Sequence, residues 1–160
     1  MSDESPRRTD LITGTPPSAE SGPRRMVPLD RAEALRLLSG VSVGRIAFTE
    51  HALPAIRPVN HILDHGDIVI RTHEGAALTA QAHRADTGTG VVVAYEADAI
   101  DPRTHLGWSV VVTGYAQVVT DPADLSRYRS LLHPWVFGST DFAIRIRPDL
   151  VHGALLGPVD

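Results

Sequence analysis

The stretch AIRPVNHILDHGDIVIRT, residues 55–72, decides the fold class. Its first part is an extended run. Pro58 within that run cannot donate to a sheet ladder, so this strand must bulge or leave one side unpaired. The turn at residues 64–67 then returns the chain into a second extended run at residues 68–72. Two extended runs joined by a short polar turn predict a β-hairpin.

The residues before this hairpin predict a helix followed by a strand. Asp30 has the properties of a helix N-cap, Glu33 stands three residues later as its capping-box partner, and Gly40 ends the helix. From residue 43 to residue 49 the side chains alternate between two faces, which indicates a half-buried strand. The first helix therefore leads directly into the sheet.

The residues after the hairpin continue with short helices and strands. An alanine-rich run at 76–84 predicts one helix, and Asp121 followed by Pro122 begins another. Further strands are predicted at residues 90–96, 108–120 and 142–147. Six strands joined mostly by hairpins, with three short flanking helices, predict an α+β fold, mainly β, built as an antiparallel six-stranded barrel.

The first 25 residues differ in composition from the rest of the chain. Ser, Pro, Thr, Arg and Asp dominate there, and four acidic side chains balance four arginines. We therefore expect a disordered tail at residues 1–25 and one domain at residues 26–160. The tail lacks both the excess basic charge of a nucleic-acid-binding arm and the apolar core of a secretory signal. No stretch reaches the roughly 18 apolar residues of a membrane span, so we expect a cytoplasmic protein.

The composition of the 160 residues excludes several classes of chemistry. The 15 basic side chains are all arginines, and cysteine is absent. Without cysteine there are no disulfides, thiolate nucleophiles or cysteine zinc sites, and without lysine there is no Schiff base or Walker-type phosphate loop. A net charge of −4 gives no general attraction to nucleic acid or to anionic membranes.

Eight histidines raise the question of a metal site. His61 and His65 are four residues apart, but they fall across a strand end and a turn rather than on one helical face. A metal site needs three or more converging ligands, and the sequence shows no tight cluster of His, Asp and Glu. A Gly-x-Ser-x-Gly elbow for serine catalysis is absent as well. We therefore predict no metal.

Polar residues on two predicted strands are placed to meet a ligand. The run RPVN at residues 57–60 puts a cation and an amide on a strand that Pro58 frees from pairing, which suits the edge of a heteroaromatic ring. Arg71 and Thr72 end the next strand just before a helix. An arginine fork, a hydroxyl and a helix N-terminus together are typical of phosphate binding. A surface salt bridge is the alternative role for Arg71.

Five pieces of the sequence occur in an order that is specific when they are taken together. They are VGRIA at residues 43–47, LPAIRPVN at 53–60, IRT with the following glycine at 70–75, GWSV at 107–110, and RIRP at 145–148. With these pieces the chain from about residue 28 to residue 156 resembles the pyridoxamine 5′-phosphate oxidase-like, FMN-binding split-barrel proteins, in the short form frequent in actinobacteria. The resemblance implies a split barrel that forms a homodimer, with FMN at the subunit interface.

The resemblance also implies which residues hold the cofactor. The strand that contains residues 57–60 would line the isoalloxazine ring. The strand that ends at residue 72 and the helix after it would hold the phosphate, and the partner subunit would add a third group of residues. These residues are, in that order, Arg57, Pro58, Val59 and Asn60; Ile70, Arg71, Thr72 and Gly75; and Trp108 and Ser109. Relatives commonly carry a lysine where this chain has Ala77, so Arg71 and backbone amides must hold the phosphate largely alone.

The activity that the resemblance implies is that of a flavin-dependent oxidoreductase, with a hydride passing between the flavin and an unidentified small molecule. Arg57 is the candidate for stabilising negative charge on the reduced flavin, and His61 is a candidate proton donor. The substrate-phosphate machinery of true pyridoxamine phosphate oxidases is not recognisable, so vitamin B6 oxidation is not expected. The alternative is a non-catalytic protein on the same barrel that binds or carries FMN, the actinobacterial deazaflavin coenzyme or haem.

Dimerisation has a separate basis in the sequence. The run WSVVV at residues 108–112 is apolar on both faces, which a small open barrel cannot bury without a second subunit or its own helices. We therefore expect a homodimer, and helices that cover this strand are the alternative.

Overall fold

The computed structural model describes residues 23–72, 76–84, 90–133 and 142–159. This part of the chain contains seven strands and three helices. In chain order they are β1 (Arg24–Leu29), α1 (Arg31–Ser39), β2 (Val43–Glu50), β3 (Leu53–Asp64), β4 (Asp67–Thr72), α2 (Ala77–Arg84), β5 (Val91–Ile100), β6 (Gly107–Val118), α3 (Pro122–Leu131) and β7 (Phe142–Pro158). None of these helices combines the length and the apolar character that crossing a membrane requires.

Six of the strands close into an antiparallel barrel. The sheet has the order β1-β7-β4-β3-β2-β5-β6, and β6 also pairs with β7, so the ring closes between these two strands. β1 lies outside the ring and pairs with the last part of β7, from Gly153 to Pro158. The predicted antiparallel barrel with short flanking helices is confirmed, but the sheet has seven strands rather than six.

β1 is the strand that the sequence pattern does not reveal. It contains two arginines and Pro28, so no alternation marks it, and its first two residues fall within the segment expected to be a tail. Its partner is also longer than predicted, because β7 continues through Pro148 to Pro158 instead of ending at Arg147. The first 22 residues, where most of the tail is expected, lie outside the described residues.

Capping side chains start the two helices for which a cap is predicted. Asp30 accepts a hydrogen bond from the Glu33 N–H at 2.8 Å, and Asp121 accepts one from the Asp124 N–H at 3.3 Å. The Glu33 carboxylate pairs with Arg36 at 2.6 Å, so it is turned along the helix and away from the cap. Of the two hydrogen bonds in the predicted capping box, the one accepted by the Asp30 side chain therefore forms. The Glu33 side chain binds Arg36 instead of the Asp30 backbone N–H.

Two apolar clusters hold the fold together. The larger one fills the barrel, and its fully buried side chains include Ile70, Tyr95, Val112 and Ile146. The smaller one lies beneath α3, on the outer face of β4 and β7. The outer face of β2, β3, β5 and β6 instead exposes several large apolar side chains. Among the described residues, the barrel wall thus has one face covered by α3 and a neighbouring face that no helix covers.

Candidate functional site

Strand alternation divides the predicted ring-binding residues of β3 between two faces. Cross-strand partners share a face, and Arg57 pairs with the core residue Ile46. Arg57 and Val59 therefore lie on the inner face, where Val59 packs against the barrel core. Pro58 and Asn60 lie on the outer face. The four side chains thus cannot meet a ring on one face of the sheet, and the Val59 side chain serves the core instead of a ligand.

β3 has an open edge beside these residues. Among the described strands it pairs with β2 along residues 53–60, but with β4 only along residues 61–64. The His61 N–H donates to the Ser42 carbonyl oxygen at 2.9 Å, which fixes the alternation of the ladder. The backbone groups that point away from β2 are then those of residues 54, 56, 58 and 60.

Two prolines lie on this open edge. Pro54 and Pro58 have no N–H, so a neighbouring strand would find no donor at either position. The unpaired side that Pro58 predicts is therefore present as far as the described strands go. The Arg57 guanidinium also reaches the edge, because its Nη1 donates to the Ile56 carbonyl oxygen at 2.9 Å.

Arg57 is an exposed cation with an acidic partner. Its Nη2 lies 3.3 Å from a carboxylate oxygen of Glu50, and the Arg57 side chain is 57% exposed. Its guanidinium carbon lies 5.9 Å from the centre of the Phe48 ring, which is within range of a cation–π contact. An ion pair this exposed is weak, so the guanidinium can turn toward negative charge on a ligand.

Asn60 and Arg71 lie side by side on the outer face and are held by the same segment. His61 pairs with Ile70, so the residues next in register are Asn60 and Arg71. Asn60 Nδ2 donates to the His133 carbonyl oxygen at 2.6 Å, and Arg71 Nη1 donates to the Leu132 carbonyl oxygen at 2.9 Å. Sequence reasoning did not find these contacts, because nothing local to either strand indicates that the end of α3 packs there.

The other predicted phosphate-binding residues have different surroundings. Ile70 is fully buried in the barrel and pairs with strands on both sides, so its side chain cannot reach a phosphate. Thr72 Oγ1 lies 2.5 Å from Oγ1 of the buried Thr79, which joins the end of β4 to α2. Ala77 is the first residue of α2, as the sequence predicts to within one residue, whereas Gly75 lies outside the described residues.

Trp108 and Ser109 lie far from the other predicted site residues within one protomer. Both are on β6, and β2 and β5 separate β6 from β3 in the sheet. Trp108 packs against the barrel core, and Ser109 is on the opposite face between Asp98 and Ala154. A contribution of these two residues to the cofactor from the partner subunit stays a prediction.

A shallow groove of about 270 Å³ lies on the open outer face. Its lining is mostly apolar and carries two threonine hydroxyls. The lining residues of the outer face are Ala47, Thr49, Pro54, Val92, Ala94 and Thr113. Next to the groove, the Arg45 guanidinium lies 3.4 Å from Glu96, and burial together with the neighbouring Asp98 raises the pKa of Glu96. Strand alternation could have found this groove, since its lining residues recur at every second position.

His61 and Tyr95 form a buried pair behind β3. His61 Nε2 donates to the Leu38 carbonyl oxygen at 2.9 Å, so Nδ1 is the acceptor for the Tyr95 hydroxyl at 2.5 Å. Burial lowers the pKa of His61 and raises that of Tyr95. Both ring nitrogens are engaged inside the protein, so His61 is not placed to give a proton to a ligand.

A metal centre has no basis in the part of the chain that the structure covers, where no three His, Asp or Glu side chains come together to hold an ion. What the described residues do bring together is an apolar groove, an open edge of β3 with an arginine beside it, and, farther along β3, an amide next to a guanidinium of β4. This arrangement suits an elongated ligand that is flat and apolar at one end and anionic at the other.

Comparison with known proteins gives concordant matches. The protein-family model described as pyridoxamine 5′-phosphate oxidase matches residues 30–154 of the chain. An uncharacterized protein of Mycobacterium tuberculosis, Rv0080, is 50% identical over 143 residues, which are 89% of this chain and 93% of that protein. A Corynebacterium glutamicum protein named after pyridoxamine 5′-phosphate oxidase has a TM-score of 0.67 at 29% identity, covering 84% of this chain and 96% of its own. The FAD binding protein from Mycobacterium smegmatis has a TM-score of 0.60 at 28% identity, covering 81% and 97%.

Proposed function

The chain belongs to the pyridoxamine 5′-phosphate oxidase family, and from that premise we propose that it binds FMN and uses it to oxidise or reduce a small molecule. The similarity to the FAD binding protein of Mycobacterium smegmatis supports a flavin as the ligand. The observation that carries the proposal is the outer face of β3, which is apolar near Pro54 and bears Asn60 beside Arg71 at its other end.

The residues present fit a flavin mononucleotide in length and in chemistry. At about 3.3 Å per residue, the step from Pro54 to Asn60 spans ~20 Å, comparable to an extended flavin mononucleotide. The apolar groove suits a flat ring system, and the open edge of β3 offers backbone carbonyls, an N–H at Ile56 and the Arg57 guanidinium to the polar edge of that ring. The fit thus extends over both ends of the ligand.

The phosphate end depends on Arg71. A guanidinium forms strong charge-assisted bonds with phosphate oxygens, and the adjacent Asn60 amide can add a neutral donor. Ala77 at the start of α2 brings no charge, so this chain lacks the second cation that a lysine would supply there. We therefore expect weaker FMN binding than in relatives that carry the lysine.

The flavin, when bound, would supply the hydride or electron transfer, and the protein's part is to orient and to stabilise charge. Arg57 supplies positive charge at the open edge of β3, where its guanidinium already donates to a backbone carbonyl. With His61 held inside the barrel, the site supports catalysis by orientation and electrostatics rather than by an acid–base pair. A non-catalytic flavin carrier is the alternative, and the inward placement of His61 favours it.

A homodimer is part of the proposal. Ile56 and Val92 on the outer face are 62% and 60% exposed, and Val43 and Val111 lie on the same face. Apolar groups exposed in this number are typical of an interface. A second copy over this face would cover them and could bring its Trp108 to the flavin. Size-exclusion chromatography with light scattering should show a dimer, and a strict monomer would contradict this part of the proposal.

The absorbance spectrum of the purified protein tests the cofactor most directly. We expect flavin bands in the protein as isolated, or quenching of FMN fluorescence on titration into apoprotein. FAD and the deazaflavin coenzyme, titrated in parallel, identify the preferred ligand. Absence of binding by all of them at high micromolar concentration would contradict the proposal. Anaerobic reduction by NADPH followed by turnover with quinones or nitro compounds then separates an enzyme from a carrier.

A further inference from the structure

The end of helix α3 holds the two polar side chains that would meet the anionic end of the ligand. The carbonyl of Leu132 accepts from Arg71 at 2.9 Å, and the carbonyl of His133 accepts from Asn60 at 2.6 Å. Two successive residues thus hold side chains that come from two adjacent strands. These two contacts orient the Arg71 guanidinium and the Asn60 amide on the outer face.

Leu132 is fixed in place by the packing of α3. It is the C-cap residue of the helix, and its N–H donates to the Tyr128 carbonyl oxygen at 2.9 Å. The Leu132 side chain is 2% exposed and belongs to the cluster beneath α3 with Val69 and Ala143. Because such clusters are close-packed, the two carbonyls cannot shift unless the helix shifts with them.

A network of charged side chains sets the position of α3 on the barrel. Arg127 donates from both Nη1 and Nη2 to the Asp64 carboxylate, at 2.8 Å and 2.9 Å. The Tyr128 hydroxyl donates to Asp64 at 2.5 Å and accepts from Arg145 at 2.6 Å. Arg145 Nη2 also lies 3.3 Å from Asp124 in the first turn of the helix. The network therefore joins α3 to the end of β3 and to β7.

We propose that Arg127 and Tyr128 are positioning residues for a phosphate monoester bound at Arg71. The network holds α3 against the sheet, the end of α3 holds Arg71 and Asn60, and these two side chains receive the terminal phosphate of the ligand. The inference rests on the proposed function, because FMN is the phosphate monoester in question. It adds that two residues of α3 that do not touch the phosphate raise the affinity for it.

A purely structural role for the same contacts makes a different prediction. An arginine that bonds to the carbonyls at a helix C-terminus stabilises the helix whether or not a ligand binds. In that case variants of the network would lower stability and would weaken all flavins alike. Riboflavin has the same ring as FMN but no phosphate, so the ratio of the two affinities separates positioning from stability.

The test is the FMN-to-riboflavin affinity ratio of the full-length apoprotein, measured by flavin fluorescence quenching at a temperature where circular dichroism shows every variant folded. Tyr128→Phe removes the hydroxyl from the network and keeps the buried ring, and Arg127→Gln breaks the pair with Asp64. We expect each to lower FMN affinity roughly three- to tenfold with little change for riboflavin. Tyr115→Phe on β6 is the matched control and should leave the ratio unchanged.

The outcomes separate this inference from the proposed function. If the unmodified protein binds neither flavin, the proposed function fails and the inference fails with it. If it binds FMN, and both variants weaken FMN and riboflavin equally or leave the ratio as it was, then the positioning role is wrong while the proposed function stands. A ratio that falls in both variants supports the inference.

Discussion

The Tyr95 hydroxyl occupies the space that a Cβ atom on Gly44 would need. Gly44 is the glycine of the VGRIA piece at residues 43–47, and it lies on β2 directly beside β5, the strand that carries Tyr95. The same hydroxyl donates to His61 on β3. The glycine therefore makes room for a buried hydrogen bond that connects β5 with the strand bearing the candidate site.

Replacement of Gly44 by alanine should destabilise the protein. The added methyl group would overlap the Tyr95 hydroxyl and the Glu96 backbone, and overpacking of this kind costs about 1–3 kcal/mol. Urea unfolding followed by circular dichroism measures the loss. Gly157→Ala is the control, since a Cβ there meets nothing within 4 Å and should leave stability nearly unchanged. Equal stability of the two variants would contradict the packing described.

The buried His61 should make the protein less stable in mild acid. Burial lowers its pKa in the folded state, so the unfolded chain takes up the proton first. The stabilisation is complete above the unfolded pKa of about 6.5 and is lost as the pH falls toward the folded pKa, at up to ~1.4 kcal/mol per pH unit. Urea midpoints between pH 5 and pH 8 test the sign.

The variants for this pH dependence are chosen by burial. His61→Gln should flatten the slope between pH 6.5 and the folded pKa, whereas His152→Gln, which changes an exposed histidine, should keep the slope of the unmodified protein. A slope that survives in His61→Gln would assign the titration to another group.

Arg71→Ala should remove most of the affinity for FMN while the fold survives. A hydrogen bond to a charged group contributes roughly 1.5–3 kcal/mol, so we expect the FMN affinity to fall about tenfold to a hundredfold. Fluorescence titration gives the dissociation constant, and circular dichroism confirms folding. Arg36→Ala on the exposed surface of α1 is the control. Unchanged FMN binding in Arg71→Ala would place the phosphate elsewhere.

Val92→Asp should separate the proposed dimer. The side chain is 60% exposed in one protomer, so a carboxylate there leaves the barrel intact, but it would be buried without a partner if a second copy covers the face. We expect a monomer by light scattering, with FMN binding reduced in the same sample. Leu131→Asp, on the exposed side of α3 at 54%, is the matched control and should remain dimeric. A dimeric Val92→Asp variant would move the interface to another face.

The sequence predicts those parts of the fold that local patterns determine. Hairpins, the Asp30 and Asp121 caps and the alternating strands are recognisable because each depends on neighbouring residues. β1 is not, because its strand character comes from pairing with a distant stretch, and Pro28 and two arginines hide it. A proline within the last strand, Pro148, likewise does not end it.

The candidate site shows the same division between local and distant information. The sequence singles out Arg57, Asn60 and Arg71, and the structure places two of them together on one face. The contacts with Leu132 and His133 could not be predicted, because the packing of a helix brings together residues that are distant in sequence. Arg71 and Leu132 are separated by 61 positions, and Asn60 and His133 by 73 positions. The resemblance also groups Val59 and Ile70 with the cofactor, but strand alternation turns both side chains into the core.

The prolines on the open edge of β3 decide what kind of molecule can use that edge. A peptide that docks as an additional strand needs a donor at every second residue to complete its ladder, and Pro54 and Pro58 lack that donor on either side of Ile56. A small ring needs one or two hydrogen bonds and can take them from the carbonyls and from Ile56. The described edge therefore suits a small molecule better than a polypeptide, including another copy of this chain.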